Sequence, residues 1–201
     1  MKRFFQWKKK PTITIVSGLP RSGTSMTMKI LEAGGIPPLT DHIRSPDDDN
    51  PKGYYEFERA KKMREGDTDW IPLAEGKAVK VIGALLIHMP SDYNYRVIFM
   101  RREMSEILAS QAKMLENRGE ENKVDDETMA DLFNKHVKQV EDWMDSQSNL
   151  QYINLDYNAI LKDPAPHIKE INRFLGGKLD ETAMLEVVDP NLYRQRKEKS
   201  N

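Results

Sequence analysis

The chain contains no cysteine, so disulfide bonds, thiolate metal sites and a cysteine nucleophile are all excluded. It also lacks a charge excess of either sign, because 31 Lys and Arg residues stand against 32 Asp and Glu residues, for a net charge of -1. That balance argues against broad nucleic-acid binding, which needs a large positive field. It leaves room for a local basic pocket that binds one anionic ligand.

Long apolar runs are also absent, since none approaches the roughly 20 residues of a membrane span. The start of the chain, residues 1–10, is basic and aromatic but lacks the apolar core of a signal peptide. These absences predict a cytoplasmic protein with no membrane span. Of the 201 residues, 38% are hydrophobic and 31% charged, a composition typical of one globular domain. We expect that domain at residues 12–188, between a basic N-terminal extension at 1–11 and a charged C-terminal tail at 189–201.

Short apolar segments rich in β-branched residues predict four buried strands. They are residues 12–17, 78–82, 96–100 and 150–155. Segments with apolar residues at helical spacing, or short helical pieces, follow each of them. Because strands alternate with helices, the sequence predicts an α/β fold with a parallel β-sheet flanked by helices on both faces.

The segment GLPRSGTS, residues 18–25, lies between the first predicted strand and the first predicted helix. It fits the phosphate-loop frame G-x-x-x-x-G-K-[ST], except that Thr24 replaces the lysine. Glycines in this frame let backbone N–H groups converge on an anion at a helix N-terminus. Arg21 supplies a cation, and its planar guanidinium can bind phosphate or sulfate oxygens through two hydrogen bonds. The alternative is a polar strand-to-helix turn capped by Ser22.

This loop resembles the 5′-phosphosulfate-binding loop of sulfotransferases that use 3′-phosphoadenosine-5′-phosphosulfate (PAPS). Residues 99–110, FMRREMSEILAS, are similar to the 3′-phosphate segment of that family, in which a serine follows a strand-end arginine by eight residues; Arg102 and Ser110 keep this spacing. Residues 153–176 resemble a late strand-and-helix stretch of the family. The resemblance implies a P-loop nucleoside-triphosphate-hydrolase-like sulfotransferase fold. It also implies that PAPS donates its sulfuryl group and leaves adenosine 3′,5′-bisphosphate (PAP).

The resemblance assigns roles to individual residues. Arg21 would stabilise charge on the bridging oxygen as its bond to sulfur breaks, with help from Lys80, which resembles the lysine of the K-T-H strand of the cytosolic enzymes. Arg102 and Ser110 would hold the 3′-phosphate. The loop residues that would bind the 5′ side are Pro20, Arg21, Ser22, Gly23, Thr24 and Ser25. No metal ion is expected, since the transferred group bears one charge where a phosphoryl group bears two.

Elementary geometry agrees with these roles. Ligands of a parallel sheet collect beyond the carboxyl ends of its strands. Arg21 and Arg102 each follow a predicted strand, so we expect both at one edge of the sheet. A nearby anion would also relieve the unfavourable placement of Arg101 and Arg102 at a helix N-terminus.

The resemblance does not identify a general base in this chain, because Ile82 stands where the K-T-H histidine would be. An acceptor hydroxyl must still lose its proton as the sulfur is attacked. His42 lies 21 residues after Arg21, the ungapped position of the glutamate base in the Golgi tyrosyl-type enzymes, and Asp41 adjoins it. Glu56 ends the stretch NPKGYYE, which resembles one in bacterial sulfotransferases. Asp41, His42 and Glu56 are therefore the predicted candidates.

Two other functions fit parts of the pattern. A small P-loop kinase would need a loop lysine and an acidic Mg²⁺ ligand at a strand end, but Thr24 and the sequence MRR at 100–102 stand at those places. A catalytically silent nucleotide-binding module would keep the binding loops without a base. The acceptor is expected to be a hydroxyl or amine on a small molecule, glycan or peptide. His136, on the apolar stripe of a predicted helix, is expected to be structural.

Overall fold

The computed structural model of the protein describes residues 10–41, 43, 55–120 and 124–188. Within these residues, one sheet of four parallel strands has the order β2-β1-β3-β4. The strands are β1 (Thr12–Gly18), β2 (Ala78–Lys80), β3 (Asn94–Arg101) and β4 (Leu150–Asp156). Each coincides with a predicted strand, so the predicted parallel sheet is confirmed. Strand β2 is shorter than predicted, because the chain leaves the sheet after Val81 and enters a 3₁₀ segment.

Helices and short 3₁₀ segments connect the strands. In the described residues the α-helices are α1 (Thr24–Ala33), α2 (Glu58–Lys61), α3 (Met104–Asn117), α4 (Asp126–Ser146), α5 (Tyr157–Lys162), α6 (Pro164–Leu175) and α7 (Glu181–Glu186). The 3₁₀ segments are Lys62–Glu65, Ile71–Ala74 and Gly83–His88. No helix among the described residues is both long enough and apolar enough to span a membrane.

Both faces of the sheet are covered. Because successive side chains of a strand point to opposite sides, the strands contribute apolar residues to two separate clusters. One buried cluster includes Ile15, Phe99, Val137, Val140 and Met144. The cluster on the other face includes Val16, Met28, Ile98, Ile168 and Ile171. Burial of each large apolar side chain contributes about 1.5–3 kcal/mol, so the two clusters stabilise the layered arrangement. Helix α4 therefore packs on one face, and helices α1 and α6 pack on the other.

The order of the strands brings three chain segments to one edge of the sheet. Strand β1 is central, with Val16 opposite Lys80 of β2 and Gly18 opposite Met100 of β3. Because all strands are parallel, the segments that follow β1, β2 and β3 leave the sheet at the same edge. The predicted loop, Lys80 and Arg102 are therefore neighbours at this edge, as expected.

Candidate anion-binding and transfer site

The loop between β1 and α1 makes two close backbone approaches that require glycine. A Cβ on Gly18 would lie 2.6 Å from the main-chain oxygen of Met100, and a Cβ on Gly23 would collide with the ring of Tyr157. Both glycines also have positive φ angles, 146° and 101°, which side chains disfavour. The glycines of the phosphate-loop frame therefore allow the loop to pack tightly against β3 and α5.

Ser22 closes the loop on itself. Its backbone N–H and its hydroxyl both donate to the main-chain oxygen of Leu19, at 3.2 and 2.7 Å. Helix α1 then begins after Gly23, with no cap from any described side chain and no acidic residue in its first turn. Ser22 thus does not cap the helix, as the alternative interpretation required. The start of α1 instead presents backbone N–H groups and the positive end of the helix dipole, which together favour an anion.

Arg21 joins the loop to the segment that follows β3. Its φ angle of 67° places a non-glycine residue in the left-handed region, which is uncommon and is concentrated at functional sites. The side-chain Nε donates to Oγ of Ser110 on α3 at 2.9 Å, and the main-chain oxygen accepts from Nη1 of Arg102 at 3.0 Å. Both residues of the predicted 3′-phosphate pair therefore contact the one cation of the loop.

Arg102 is held on three sides. Its Nε donates to Glu106 Oε2 at 3.1 Å, with side chains that are only 8% and 4% exposed. Its guanidinium lies over the ring of Tyr157, 4.5 Å from the centroid, and Asn158 donates to the same Glu106 oxygen at 3.0 Å. Burial raises the pKa of the Tyr157 hydroxyl, while the charge of Arg102 acts in the opposite direction. A buried arginine fixed this firmly is pre-organised to bind an anion.

Lys80, at the end of β2, lies beside Glu56. Its Nζ is 3.8 Å from Glu56 Oε1, and Nζ of Lys61 is 2.7 Å from Oε2 of the same carboxylate. The main-chain oxygen of Glu56 also accepts from the backbone N–H of Asp41 at 3.4 Å. One predicted base is therefore next to the predicted transfer lysine, and its carboxylate is flanked by two ammonium groups.

The other predicted bases have different surroundings. The carboxylate of Asp41 accepts the backbone N–H of Glu58 at 2.6 Å and that of Ile43 at 3.2 Å, so it fixes the start of α2. His42 lies outside the described residues. Of the predicted loop residues, Pro20 is exposed, and Thr24 and Ser25 form the half-buried first turn of α1.

Sequence reasoning missed three residues that shape the site, namely Glu106, Tyr157 and Asn158. Glu106 and Asn158 are polar residues near the ends of adjacent strands, and Tyr157 directly follows β4. Placement at the carboxyl ends of parallel strands was the available signal. His136, expected to be structural, is also close to this edge: its Nε2 lies 3.6 Å from the position that a Cβ on Gly83 would occupy.

Solved structures of known sulfotransferases share this fold. The sulfotransferase domain of the olefin synthase from Synechococcus PCC 7002 has a TM-score of 0.57 at 16% identity, covering 94% of this chain and 84% of that chain. A mouse sulfotransferase complexed with PAP has a TM-score of 0.56 at 17% identity, covering 96% of this chain and 70% of that chain. The sulfotransferase domain from the curacin biosynthetic pathway has a TM-score of 0.52 at 13% identity, covering 89% and 78%.

Sequence comparison gives the family. No curated protein sequence matches the chain significantly. The model of the sulfotransferase domain, by contrast, matches residues 11–200, nearly the whole chain. This match includes the loop with Arg21, the strand-end Arg102 and the helix that carries Ser110. The chain therefore belongs to the sulfotransferase domain family.

Proposed function

We propose that the protein transfers the sulfuryl group of PAPS to an acceptor hydroxyl or amine. The observation that carries this proposal is the pair of hydrogen bonds that link Arg21 to Ser110 and to Arg102. Through these bonds the loop proposed for the 5′-phosphosulfate contacts Arg102 and Ser110, the cation and the hydroxyl proposed for the 3′-phosphate, and this contact supports the proposal. A nucleotide with anionic groups at both positions can reach both sets of residues, whereas ADP and ATP lack the second group.

The residues present fit such a nucleotide. Gly18 and Gly23 have no side chains that would block the close packing of the loop. The N-terminus of α1 has no side-chain cap and no carboxylate in its first turn, so its N–H groups can bind an anion. When bound, PAPS supplies an electrophilic sulfuryl group with its 5′-phosphate as the leaving group. The guanidinium of Arg21 and the ammonium of Lys80 lie at the carboxyl ends of adjacent strands, where they would stabilise negative charge that develops on the leaving oxygen.

Glu56 supports Lys80 in this proposal. Its carboxylate lies 2.7 Å from Nζ of Lys61 and 3.8 Å from Nζ of Lys80, so it can anchor the ammonium group of Lys80. Asp41 is bonded to two backbone N–H groups and fixes the start of α2. A base role for Asp41, His42 or Glu56 remains a prediction from the sequence.

Ligand titration tests the donor. We expect PAP to bind without Mg²⁺ and more tightly than ADP, measured by calorimetry and by thermal shift. Radiolabelled PAPS should be consumed in the presence of a panel of phenols, alcohols, amines and sugars. Equal affinities for PAP and ADP would remove the 3′-phosphate role of Arg102 and Ser110. Preference for Mg-ATP would indicate a kinase, and PAP binding without any turnover would indicate a silent binding module.

A further inference from the structure

The backbone at Gly83 marks a point where three parts of the protein meet. Gly83 is buried and follows Ile82, just beyond the end of β2. A Cβ at this position would lie 3.5 Å from the main-chain oxygen of Gly18, 3.6 Å from Nε2 of His136 and 3.7 Å from the ring of Phe99. The imidazole of His136 therefore reaches, from α4, the same edge of the sheet as the phosphate loop and Lys80.

The position of His136 along α4 is at the border between core and solvent. Further toward the C-terminus of the helix, Met144, Val140 and Val137 are 1%, 2% and 7% exposed. One turn in the other direction, Leu132 is 54% exposed. His136 is half-buried between them. In the part of the chain that the structure describes, its imidazole has no hydrogen-bond or ion-pair partner. The imidazole nitrogens are therefore not occupied by any group of the described residues, and one of them can accept a proton from a bound acceptor.

We infer that His136 is the general base of the proposed transfer. This inference rests on the proposed function. Ile82, just beyond the end of β2, fills the position where the resemblance would place a histidine. From a different element, α4, His136 brings an imidazole close to the next residue, Gly83. An imidazole nitrogen without a hydrogen can accept a proton from an acceptor hydroxyl. The Glu56 carboxylate, by contrast, is already paired with Lys61 and Lys80.

The step balances as a simple displacement. The acceptor oxygen forms a bond to sulfur while the bond from sulfur to the bridging oxygen of PAPS breaks. The electron pair of that broken bond stays on the 5′-phosphate of PAP, beside Arg21 and Lys80. The acceptor proton moves to Nε2 of His136, which becomes an imidazolium and later releases the proton to water. An amine acceptor follows the same scheme through its nitrogen.

A chemical-modification experiment tests the inference without knowledge of the acceptor. Diethyl pyrocarbonate modifies accessible neutral imidazoles, and mass spectrometry reports each histidine separately. We expect His136 to react in the free protein and to be protected about tenfold or more by saturating PAPS, with weaker protection by PAP, which lacks the sulfuryl group. His167, on α6 at the other face of the sheet, should react at one rate throughout.

Calorimetry with PAPS and PAP on the same samples separates the two claims. If neither nucleotide binds, the proposed function fails together with the inference. If both bind, the inference is overturned when His136 is unreactive in the free protein, because an acceptor could not reach it either. Equal protection by PAPS and PAP would also overturn it.

Kinetics supply a second test. The rate of PAPS consumption is measured with water as the acceptor, which is always present, and with any acceptor found in the panel. His136→Gln should lower kcat by about 10²-fold or more while the dissociation constant of PAP stays the same. His136→Ala should regain part of its rate in added imidazole, which a purely structural histidine would not show. The matched control His167→Gln should keep the parental rate. Parental kcat in His136→Gln would overturn the assignment.

Discussion

Nη1 of Arg102 donates a hydrogen bond to the main-chain oxygen of Arg21 at 3.0 Å, across the end of the sheet. The contact supports the left-handed backbone of Arg21, whose φ angle is 67°. Arg102 therefore shapes the phosphate loop as well as presenting its own charge. Ser110 differs, since its hydroxyl accepts a hydrogen bond from the side chain of Arg21 rather than donating one to the backbone. This difference separates two kinds of contribution to nucleotide binding.

Substitutions at Ser110 and Arg102 should therefore differ in their effect on the binding of PAP and ADP. Ser110→Ala should weaken the binding of PAP by about tenfold and leave that of ADP nearly unchanged, because one hydrogen bond to a charged group is lost at the 3′-phosphate. Arg102→Ala should weaken both nucleotides, because the loop loses its support. Calorimetry with each nucleotide measures the difference. The assignment of Ser110 would be contradicted if Ser110→Ala weakened PAP and ADP by the same factor.

Arg21 should matter for the rate more than for folding. Arg21→Ala should lower kcat by about two decades, or about 3 kcal/mol, because the guanidinium is the loop's only cation. Arg21→Lys should recover only part of this loss, since an ammonium cannot replace a two-pronged guanidinium. Steady-state turnover of PAPS measures both.

A glycine at the same position provides the control. Arg21→Gly relieves the left-handed strain at residue 21, which costs a side-chain-bearing residue about 1–2 kcal/mol. It should therefore unfold at higher urea than Arg21→Ala while being equally slow. Arg21→Gly with the parental rate would show that the guanidinium has no part in the transfer.

The pair formed by Lys80 and Glu56 calls for a double-mutant cycle. Lys80→Gln should lower kcat strongly, and Glu56→Gln should lower it less, because the carboxylate acts through the position of the ammonium. The double variant should then be no slower than Lys80→Gln. Rates of PAPS consumption at saturating donor give the three values. A Glu56→Gln variant that is as slow as His136→Gln, with losses that add to those of Lys80→Gln, would favour Glu56 as the base.

Local patterns in the sequence predicted several residues that the structure brings together at this edge of the sheet. The loop glycines and the eight-residue spacing of Arg102 and Ser110 are contained in single segments, so their chemistry can be recognised without tertiary structure. The partners of Arg102 are different. Asn158 reaches Glu106 from 52 residues away, and this contact depends on β3 and β4 being neighbours. Such contacts follow from the strand order, which residue spacing alone does not determine.

His136 illustrates the same limit in another way. Its spacing on α4 places it on the apolar stripe, and a periodic pattern predicts a core position for every residue of that stripe. Whether the stripe ends in the core or at a ligand-binding edge depends on where the helix crosses the sheet. Along α4 the exposed fraction rises from 1% at Met144 to 54% at Leu132, although Phe133 still packs against the core, and the half-buried His136 lies between them. The structural role expected of His136 stays a prediction, and the sequence did not indicate that its Nε2 would lie 3.6 Å from the Cβ position of Gly83.

The final prediction uses two glycines with nearly the same backbone. Gly23 has a φ angle of 101° and Gly35 one of 99°, but a Cβ on Gly23 would enter the ring of Tyr157, while a Cβ on Gly35 would meet no atom within 4 Å. Gly35→Ala should therefore cost only the left-handed strain of a side chain, about 1 kcal/mol. Gly23→Ala should cost about 1–3 kcal/mol more, because Tyr157 is packed beneath Arg102 and cannot move freely.

Gly23→Ala should also weaken the binding of PAP strongly, since relief of the clash displaces the start of α1 from the anion. Gly35→Ala should bind PAP normally. Urea unfolding and PAP calorimetry on both variants measure these differences. Equal stabilities together with equal PAP affinities would contradict the close packing of the loop on Tyr157.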